Sequence, residues 1–292
     1  MTETSDPAAL RADSLGVSEL RPSPNHGERR GRWAAGGPDL LLLHYTGMPA
    51  GRGMSGAERA IRWLTMAEAE VSAHYVVAED GRVTQLVAEE RRAWHAGLAS
   101  WSGEADVNSA SIGIEIVNPG HWWDLGDMPD RDPDDPVEVH PGYADFPEAQ
   151  IAAVIALGRD IVARHGIPTD RVLGHSDVAP GRKRDPGEKF PWARLAAAGL
   201  GTWVEPAAPG MHGVTPFVVG ERSPRVSALR ARLALWGYGI EAGDLYDAAT
   251  RTVVEAFQRH YMPGRIDGIA DLATLDVLHR LIDRRRRGEA VA

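Results

Sequence analysis

Two short apolar segments, each ending in a histidine, constrain the fold of this chain more than any other feature. Leu41–Leu43 lead into His44, and Val172–Gly174 lead into His175. Each pattern is typical of a buried strand that presents one polar side chain where the strand meets a loop. A lone histidine there is more often structural than a ligand. A later loop adds Asp185, and two imidazoles with one carboxylate are the ligand set of a catalytic zinc with an open fourth position.

A glutamate in a third apolar segment is the candidate general base. Residues 111–118 alternate so that three isoleucines line one face, which places Gly113 and Glu115 on the other. Because glycine has no side chain, we expect open space beside the carboxylate. The same pattern also allows a solvent-facing glutamate on an edge strand.

These residues together allow hydrolysis of an amide. An ion held by His44, His175 and Asp185 could polarise a carbonyl and acidify a water molecule. Glu115 could then take the proton of that water, and Lys183 could stabilise the oxyanion that forms. Taken alone, Lys183 is equally well explained as one charge of a solvated Arg-Lys-Arg turn.

The rest of the first two hundred residues shows helical and hairpin patterns. Apolar positions with a helical period predict helices over 55–64 and 147–164, the second leading into the strand that ends at His175. An Asp-Gly pair between β-forming segments predicts a hairpin of 73–78 and 83–87.

Two segments lack such patterns. Residues 1 to about 38 are expected to be a partly ordered lead-in. Residues 122–147, rich in Asp, Pro and Gly, are expected to form a long loop near the site. His121 and His140 are competing ligand candidates, but no strand fixes either of them.

The C-terminal part of the chain shows a different sequence pattern. A linker containing a Pro-Ala-Ala-Pro-Gly stretch is followed by three helical patterns at 224–236, 247–260 and 271–283. Asp247 and Asp271 are the expected N-caps of the last two helices. The run Arg284–Arg287 is most simply a solvated helix end, which the helix dipole favours.

Composition restricts the partners and the compartment. The net charge of −9 argues against nucleic acid as a partner, and no apolar run is long enough to span a membrane. The chain has no cysteine, and its start lacks the apolar region of a secretory signal. We therefore expect a cytoplasmic protein, or a periplasmic one if the start of the precursor is missing; a monomer is favoured.

Five motifs in register resemble those of the zinc-dependent N-acetylmuramoyl-L-alanine amidases, the amidase type 2 family related to peptidoglycan recognition proteins. The resemblance runs from about residue 37 to 195. It implies an α/β fold with a central mixed β-sheet flanked by helices, zinc on His44, His175 and Asp185, and catalytic roles for Glu115 and Lys183. The motifs are His44–Thr46, Trp94–Gly97, Asn108 with Ser111–Glu115, Gly174–Pro180 and Lys183–Gly187.

The C-terminal module resembles a three-helix peptidoglycan-binding domain, through a looser pattern. A helical module that only packs on the catalytic domain, or forms a wall of its groove, remains an alternative. The expected organisation is an N-terminal extension at 1–36, a catalytic domain at 37–200, a linker at 201–221 and the helical domain at 222–288.

By this resemblance, the expected activity is hydrolysis of the amide between the lactyl group of (anhydro-)N-acetylmuramic acid and L-alanine. Soluble muropeptides in cytoplasmic cell-wall recycling are the favoured substrate. Alternatives are a periplasmic amidase acting on polymeric murein, a non-catalytic murein receptor and a metallopeptidase acting within the stem peptide. Trp94, His95 and Asn108 are candidate substrate contacts, since an indole offers an apolar face to a sugar or peptide.

Overall fold

A central β-sheet organises the structure, a computed structural model that describes residues 10–51, 53–121, 143–206 and 216–288. The strands are β1 Glu19–Leu20, β2 His26–Glu28, β3 Leu40–Tyr45, β4 Tyr75–Val77, β5 Val83–Gln85, β6 Arg91–Ala93, β7 Ser111–Ile116 and β8 Val172–Gly174. The main sheet has six strands in the order β1-β5-β4-β7-β3-β8, and β2 pairs with β6 separately. Strands β4 and β5 are antiparallel, as the Asp-Gly hairpin predicts, whereas β7, β3 and β8 are parallel. The expected mixed sheet is confirmed.

The parallel strands β7, β3 and β8 position three of the candidate site residues. In the pairing of β3 with β7, Leu42 lies opposite Gly113 and His44 lies opposite Glu115. His175 directly follows β8. Since parallel strands end at the same edge of a sheet, these residues meet at its carboxyl edge, where α/β proteins commonly bind ligands.

The described residues up to 206 contain six α-helices: α1 Trp33–Gly36, α2 Gly56–Thr65, α3 Val107–Ala110, α4 Glu148–His165, α5 His175–Val178 and α6 Trp192–Ala197. The predicted helices α2 and α4 are both confirmed. Ser55 caps α2 by accepting a hydrogen bond from Glu58 N, and Gly166 ends α4 in the left-handed conformation. Helix α4 packs on the sheet face that contains Leu41 and Leu43.

The C-terminal helices cover the opposite face of the same sheet. They are α7 Pro224–Trp236, α8 Ala248–Tyr261 and α9 Leu272–Arg287, close to the predicted ranges, and Asp247 and Asp271 cap the last two. Their apolar residues form one continuous core with Leu40, Leu42 and Leu173. Because side chains alternate along a strand, His44 points to the same face as Leu40 and Leu42. The helical domain and the candidate site therefore share one side of the sheet.

The N-terminal segment packs against the rest of the structure, although its sequence has no periodic pattern. Strand β1 pairs with β5 at the edge of the main sheet, and the Arg29 side chain is buried against the backbone carbonyls of Glu89 and Ser109. Residues 10–36, expected to be an extension, thus include a strand of the main sheet and a buried contact with it. Strands of two or three residues are too short to give a periodic pattern, which is why the sequence does not reveal them.

The arginines at the end of α9 also differ from expectation. Arg284 donates a hydrogen bond to Trp203 O, and Arg285 pairs with Asp170 and lies over the Trp236 ring. Both side chains are half-buried, whereas Arg286 is exposed. The first half of the run therefore connects the two domains instead of facing solvent.

Some expectations concern residues outside the described ranges. These are His140, positions 122–142 of the acidic loop and positions 207–215 of the linker. At the two ends of the linker, Val204 and Phe217 are buried. Within the described ranges, none of the helices is both long enough and apolar enough to cross a membrane.

Candidate metal centre

The three predicted ligands converge. His44 Nδ1 lies 2.9 Å from His175 Nδ1 and 3.0 Å from Asp185 Oδ2, and His175 Nδ1 lies 3.1 Å from Asp185 Oδ2. Metal–ligand bonds of about 2.1 Å in a tetrahedron require ligand atoms about 3.4 Å apart. The triangle is slightly tighter than that, so one small divalent ion fits it with minor outward movement of the side chains.

In both histidines, Nδ1 faces the ligand triangle and Nε2 contacts a neighbouring group outside it. His175 Nε2 lies 2.9 Å from the carbonyl oxygen of Ala96, which can only accept, so this nitrogen carries the proton. His44 Nε2 lies 3.0 Å from Nδ1 of His95. If it donates there, Nδ1 of His44 is left unprotonated. Such outer hydrogen bonds fix the tautomer and orientation of metal-binding histidines.

The protonation states also suit metal binding. Burial is the main cause that lowers the pKa of His44 to about 4, and the neighbouring His175 is the second. Its imidazole is therefore neutral at pH 7. Burial opposes ionisation of Asp185, but its contacts with His175 and His44 hold the pKa of that carboxyl below its usual range. Neutral imidazoles and an ionised carboxylate are the forms that coordinate a divalent metal.

Backbone hydrogen bonds hold two of the ligands together. His175 is the first residue of the single helical turn α5, and Ser176 N donates to Asp185 O at 3.0 Å. Gly174, just before this turn, has no space for a side chain, because a Cβ there would lie 2.7 Å from Pro186 Cδ. The position of α5 therefore determines where both His175 and Asp185 lie.

Glu115 faces the metal triangle from the neighbouring strand. Its Oε2 atom is buried and has no hydrogen-bond partner among the described residues. Burial and the negative charge of Asp185 raise the pKa of the Glu115 carboxyl well above its usual value, and the Lys183 ammonium opposes this. An unpaired carboxylate of raised pKa, next to a cation site, is suited to taking up a proton and giving it back.

The triangle opens into a cavity of about 560 Å³. Lys183 lines this cavity, and its ammonium makes no hydrogen bond or ion pair within the described part of the chain. Among the described residues, the acidic side chains that line the cavity are Glu115 and Asp185. The other cationic side chains that line it are Arg59, Arg62, Arg182 and Arg184. The described lining of the cavity is thus basic, in a chain of net charge −9.

Comparison with known proteins identifies the family. The sequence model of the N-acetylmuramoyl-L-alanine amidase family matches residues 34–188. The amidase AmiD of Escherichia coli K12 is 34% identical over 256 residues, covering 84% of this chain and 82% of that protein. This chain belongs to the N-acetylmuramoyl-L-alanine amidase family. A second sequence model, of a putative peptidoglycan binding domain, matches residues 222–278.

Related proteins cover different shares of this chain. The 1,6-anhydro-N-acetylmuramyl-L-alanine amidase AmpD of Salmonella typhimurium SL1344 is 30% identical and covers 55% of this chain. Two solved structures instead cover nearly the whole chain. AmiD of E. coli with anhydro-N-acetylmuramic acid-L-Ala-D-gamma-Glu-L-Lys has a TM-score of 0.66 at 32% identity, covering 89% of this chain and 98% of that one. AmpDh3 of Pseudomonas aeruginosa with an anhydromuramic pentapeptide has a TM-score of 0.62 at 28% identity, covering 95% and 99%.

The three candidate substrate contacts of the amidase domain lie in different surroundings. Trp94 is half-buried and lines the cavity. Asn108 uses its Oδ1 to accept hydrogen bonds from His95 N and Ala96 N, at 3.0 and 2.8 Å. His95 is buried, and its two ring nitrogens lie 3.0 Å from His44 and 3.4 Å from Ser111 Oγ.

The space expected above Gly113 is not open. A Cβ at Gly113 would lie 2.6 Å from the His95 ring, so the imidazole fills the place of the missing side chain. The expectation of free space beside Glu115 is therefore wrong. A histidine from a distant loop occupies it, and strand alternation alone cannot show this.

His121 lies away from the ligand triangle. Its Nδ1 is 2.9 Å from the Tyr45 hydroxyl, and its Nε2 is 3.0 Å from Glu188. The structure therefore does not place this competing candidate among the metal ligands. Tyr45 follows His44 directly, so His121 contacts the end of β3 without reaching the metal site.

Sequence reasoning missed residues on α2 that form the far wall of the cavity. Arg59, Arg62 and Trp63 lie on the side of this helix that is not buried in the core. Arg62 and Trp63 follow Arg59 by three and four positions, which places the three side chains next to one another on the helix surface. An arginine-rich exposed stripe facing a predicted active site is the signal that could have found them.

Proposed function

We propose that this chain is a zinc-dependent N-acetylmuramoyl-L-alanine amidase that hydrolyses the amide between the lactyl group of (anhydro-)N-acetylmuramic acid and L-alanine. The convergence of His44, His175 and Asp185 beside an unpaired Glu115 is the observation that carries the proposal. A protein that only binds murein has no chemical use for a carboxylate with a buried, unpaired oxygen next to a cation site.

The residues of the site have distinct parts in this reaction. Zinc, when bound by the triad, supplies a Lewis acid that polarises the scissile carbonyl. Glu115 takes one proton from the attacking water as the new C–O bond forms, and passes it to the leaving nitrogen as the C–N bond breaks. The Lys183 ammonium donates a hydrogen bond to the oxygen that gains negative charge. The products are the free lactyl carboxylate and a peptide with L-alanine at its N-terminus.

The charge of the cavity supports an anionic substrate. Several cationic side chains line the cavity, whereas its described lining has two acidic residues. Four of the cations are Arg59 and Arg62 on α2 and Lys183 and Arg184 on the opposite loop. Stem peptides carry free carboxylates, which guanidinium and ammonium groups attract and orient. The bound ligands named for the AmiD and AmpDh3 structures are anhydromuramic peptides, and we propose the same class of ligand here.

We propose a positioning role for His95 in place of a substrate contact. In the neutral form with its proton on Nε2, His95 accepts from His44 Nε2 and points its own N–H at Ser111 Oγ. Ser111 in turn donates to Val107 O at 2.6 Å. Burial is the main cause, and the neighbouring His44 the next, of a pKa of His95 well below its usual value, which keeps this neutral form at pH 7. Asn108 supports the same loop, and Trp94 remains the proposed substrate contact.

One experiment tests the reaction and its alternatives. Purified protein is incubated with anhydro-muropeptide and, separately, with whole sacculi, with and without a chelator, and the products are identified by mass. We expect a peptide with a free N-terminal L-alanine, formed only without chelator. Cleavage inside the stem peptide would indicate a metallopeptidase, and binding without products would indicate a receptor; either result would refute the amidase proposal. The faster of the two substrates distinguishes recycling from action on polymeric murein.

The cytoplasmic location and the monomeric state stay predictions. Fractionation of cells that express the natural gene, followed by immunodetection, measures the location. Light scattering of the purified chain at several concentrations measures its mass in solution.

A further inference from the structure

A buried aspartate joins the metal-binding turn to the C-terminal domain. Asp177 lies in α5, two residues after His175, and its side chain is fully buried. It accepts hydrogen bonds from Gly174 N at 2.8 Å, the Tyr238 hydroxyl at 2.7 Å and His260 Nδ1 at 2.7 Å. Two of its three donors therefore come from the other domain.

These contacts act on the segment that positions the ligands. Asp177 is the third residue of the turn that begins with His175, and its bond to Gly174 N closes that turn at its N-terminal end. Ser176 lies between His175 and Asp177 in this turn, and its backbone N–H donates to Asp185 O. A shift of Asp177 would therefore move two of the three ligands together.

The surrounding packing leaves the two donors little freedom. The His260 ring stacks on Trp192 of the amidase domain with centroids 3.7 Å apart, and the Tyr238 ring meets the edge of Trp101 at 5.1 Å. Gly237, next to Tyr238, has a φ of 138° and would place a Cβ 2.4 Å from the Trp101 ring. The interface is thus packed as closely as a domain core. Two modules joined only by a flexible linker would lack such packing.

We propose that the C-terminal domain is a structural part of the metal centre: Tyr238 and His260 position Asp177, and through it His175 and Asp185. This role is separate from any binding of murein by the domain. It rests on the proposed metal site but not on the identity of the substrate. The physical reason is that a buried carboxylate left with one backbone donor is strongly destabilised, so α5 would shift to let water reach it.

A matched pair of tyrosine variants of the full chain tests the proposal. Tyr238→Phe removes one donor to Asp177. Tyr246→Phe removes an equally buried hydroxyl of the same domain, whose partner, at 2.7 Å, is Gly268 O. Each variant loses one buried hydrogen bond, so both should lower the unfolding midpoint by a similar amount, about 3–8 °C.

Measurements of zinc affinity and of the cobalt spectrum should distinguish the two variants. We expect Tyr238→Phe to weaken zinc binding by about 3- to 10-fold in a competition with a coloured chelator, somewhat less than loss of a group that contacts a ligand directly. The visible spectrum of the cobalt-substituted protein should change, and kcat should fall with KM unchanged. Tyr246→Phe should match the wild type in all three. Equal zinc affinity and equal cobalt spectra in the two variants would overturn the proposal.

Two substitutions of His260 provide a second test. Asparagine and leucine both remove the stacking on Trp192, but asparagine keeps an N–H donor near the place of Nδ1. We expect His260→Asn to retain zinc affinity closer to the wild type than His260→Leu does. If both variants lose affinity equally, stacking and not the bond to Asp177 supports the site. Zinc affinity and cobalt spectra need no substrate, so these results stand even if the amidase reaction is not found.

Discussion

Gly113→Ala is the substitution whose effect the structure determines most directly. In an ordinary strand this change is favourable by about 0.5–1 kcal/mol, because alanine loses less conformational freedom on folding. Here the new methyl would lie 2.6 Å from a ring carbon of His95, about 1 Å inside normal contact. The ring is buried and is held by His44 and Ser111, so it cannot simply move aside.

The expected magnitude has two parts. Overpacking of a buried site costs about 1–3 kcal/mol, which exceeds the favourable backbone effect and makes the metal-free protein less stable. Displacement of His95 also removes the hydrogen bond that orients His44. Loss of such a contact typically weakens metal binding by about 10- to 100-fold, or about 1.4–2.8 kcal/mol.

Zinc competition and thermal unfolding, with and without metal, measure these two parts separately. Gly36→Ala is the matched control, because a Cβ there has no atom within 4 Å and its φ is not positive. The double variant Gly113→Ala/His95→Ala completes a cycle. Once the ring is absent the methyl has space, so the double variant should bind zinc no worse than His95→Ala alone.

Two outcomes would refute this reasoning. The first is a Gly113→Ala protein with the zinc affinity and stability of the wild type, which would mean that His95 is not confined against the strand. The second is a double variant much weaker than His95→Ala, which would mean that the methyl damages the site by another route.

The other predictions concern the catalytic groups and one distant acidic residue. Glu115→Gln should keep zinc affinity but lower kcat by at least about 10²-fold, measured by release of L-alanyl peptide, because the amide cannot accept the proton; near-normal turnover would remove Glu115 from the mechanism. Lys183→Met should lower kcat by about 10²- to 10³-fold with little change in KM, and Lys183→Arg should recover part of the loss. Glu89 is buried, and although burial raises its pKa, hydrogen bonds from Arg164, His165 and Tyr75 lower that pKa to about 2. Its contribution to stability is therefore present above the unfolded pKa of 4.5 and is lost as pH falls toward 2. At about 1.36 kcal/mol per pKa unit this amounts to on the order of 3 kcal/mol. Urea unfolding midpoints measured from pH 7 to pH 2 should fall steeply for the wild type and less for Glu89→Gln, and parallel curves would contradict the assignment.

The longer helices and the residue types of the candidate ligands could be predicted from the sequence, whereas the short strands β1 and β2 could not. Helix α2 could be predicted from the helical period of its apolar residues, and α8 and α9 also from their caps, Asp247 and Asp271, which are local signals at each helix start. The ligand types at 44, 175 and 185 follow from apolar runs that end in histidine and from a loop that presents an aspartate. Such signals depend on neighbouring residues, which a sequence displays directly.

The surroundings of those ligands could not be predicted, because they depend on contacts formed when the chain folds. His95 lies over Gly113, and Asp177 is bound by Tyr238 and His260, through contacts between residues that are far apart in the chain. Side-chain alternation shows which face of a strand a residue occupies, but not which distant side chain fills the space there. That depends on how the loop after β6 and the C-terminal helices pack against one sheet face. Close packing over long sequence separations leaves no periodic pattern, so these contacts appear only when the chain is folded.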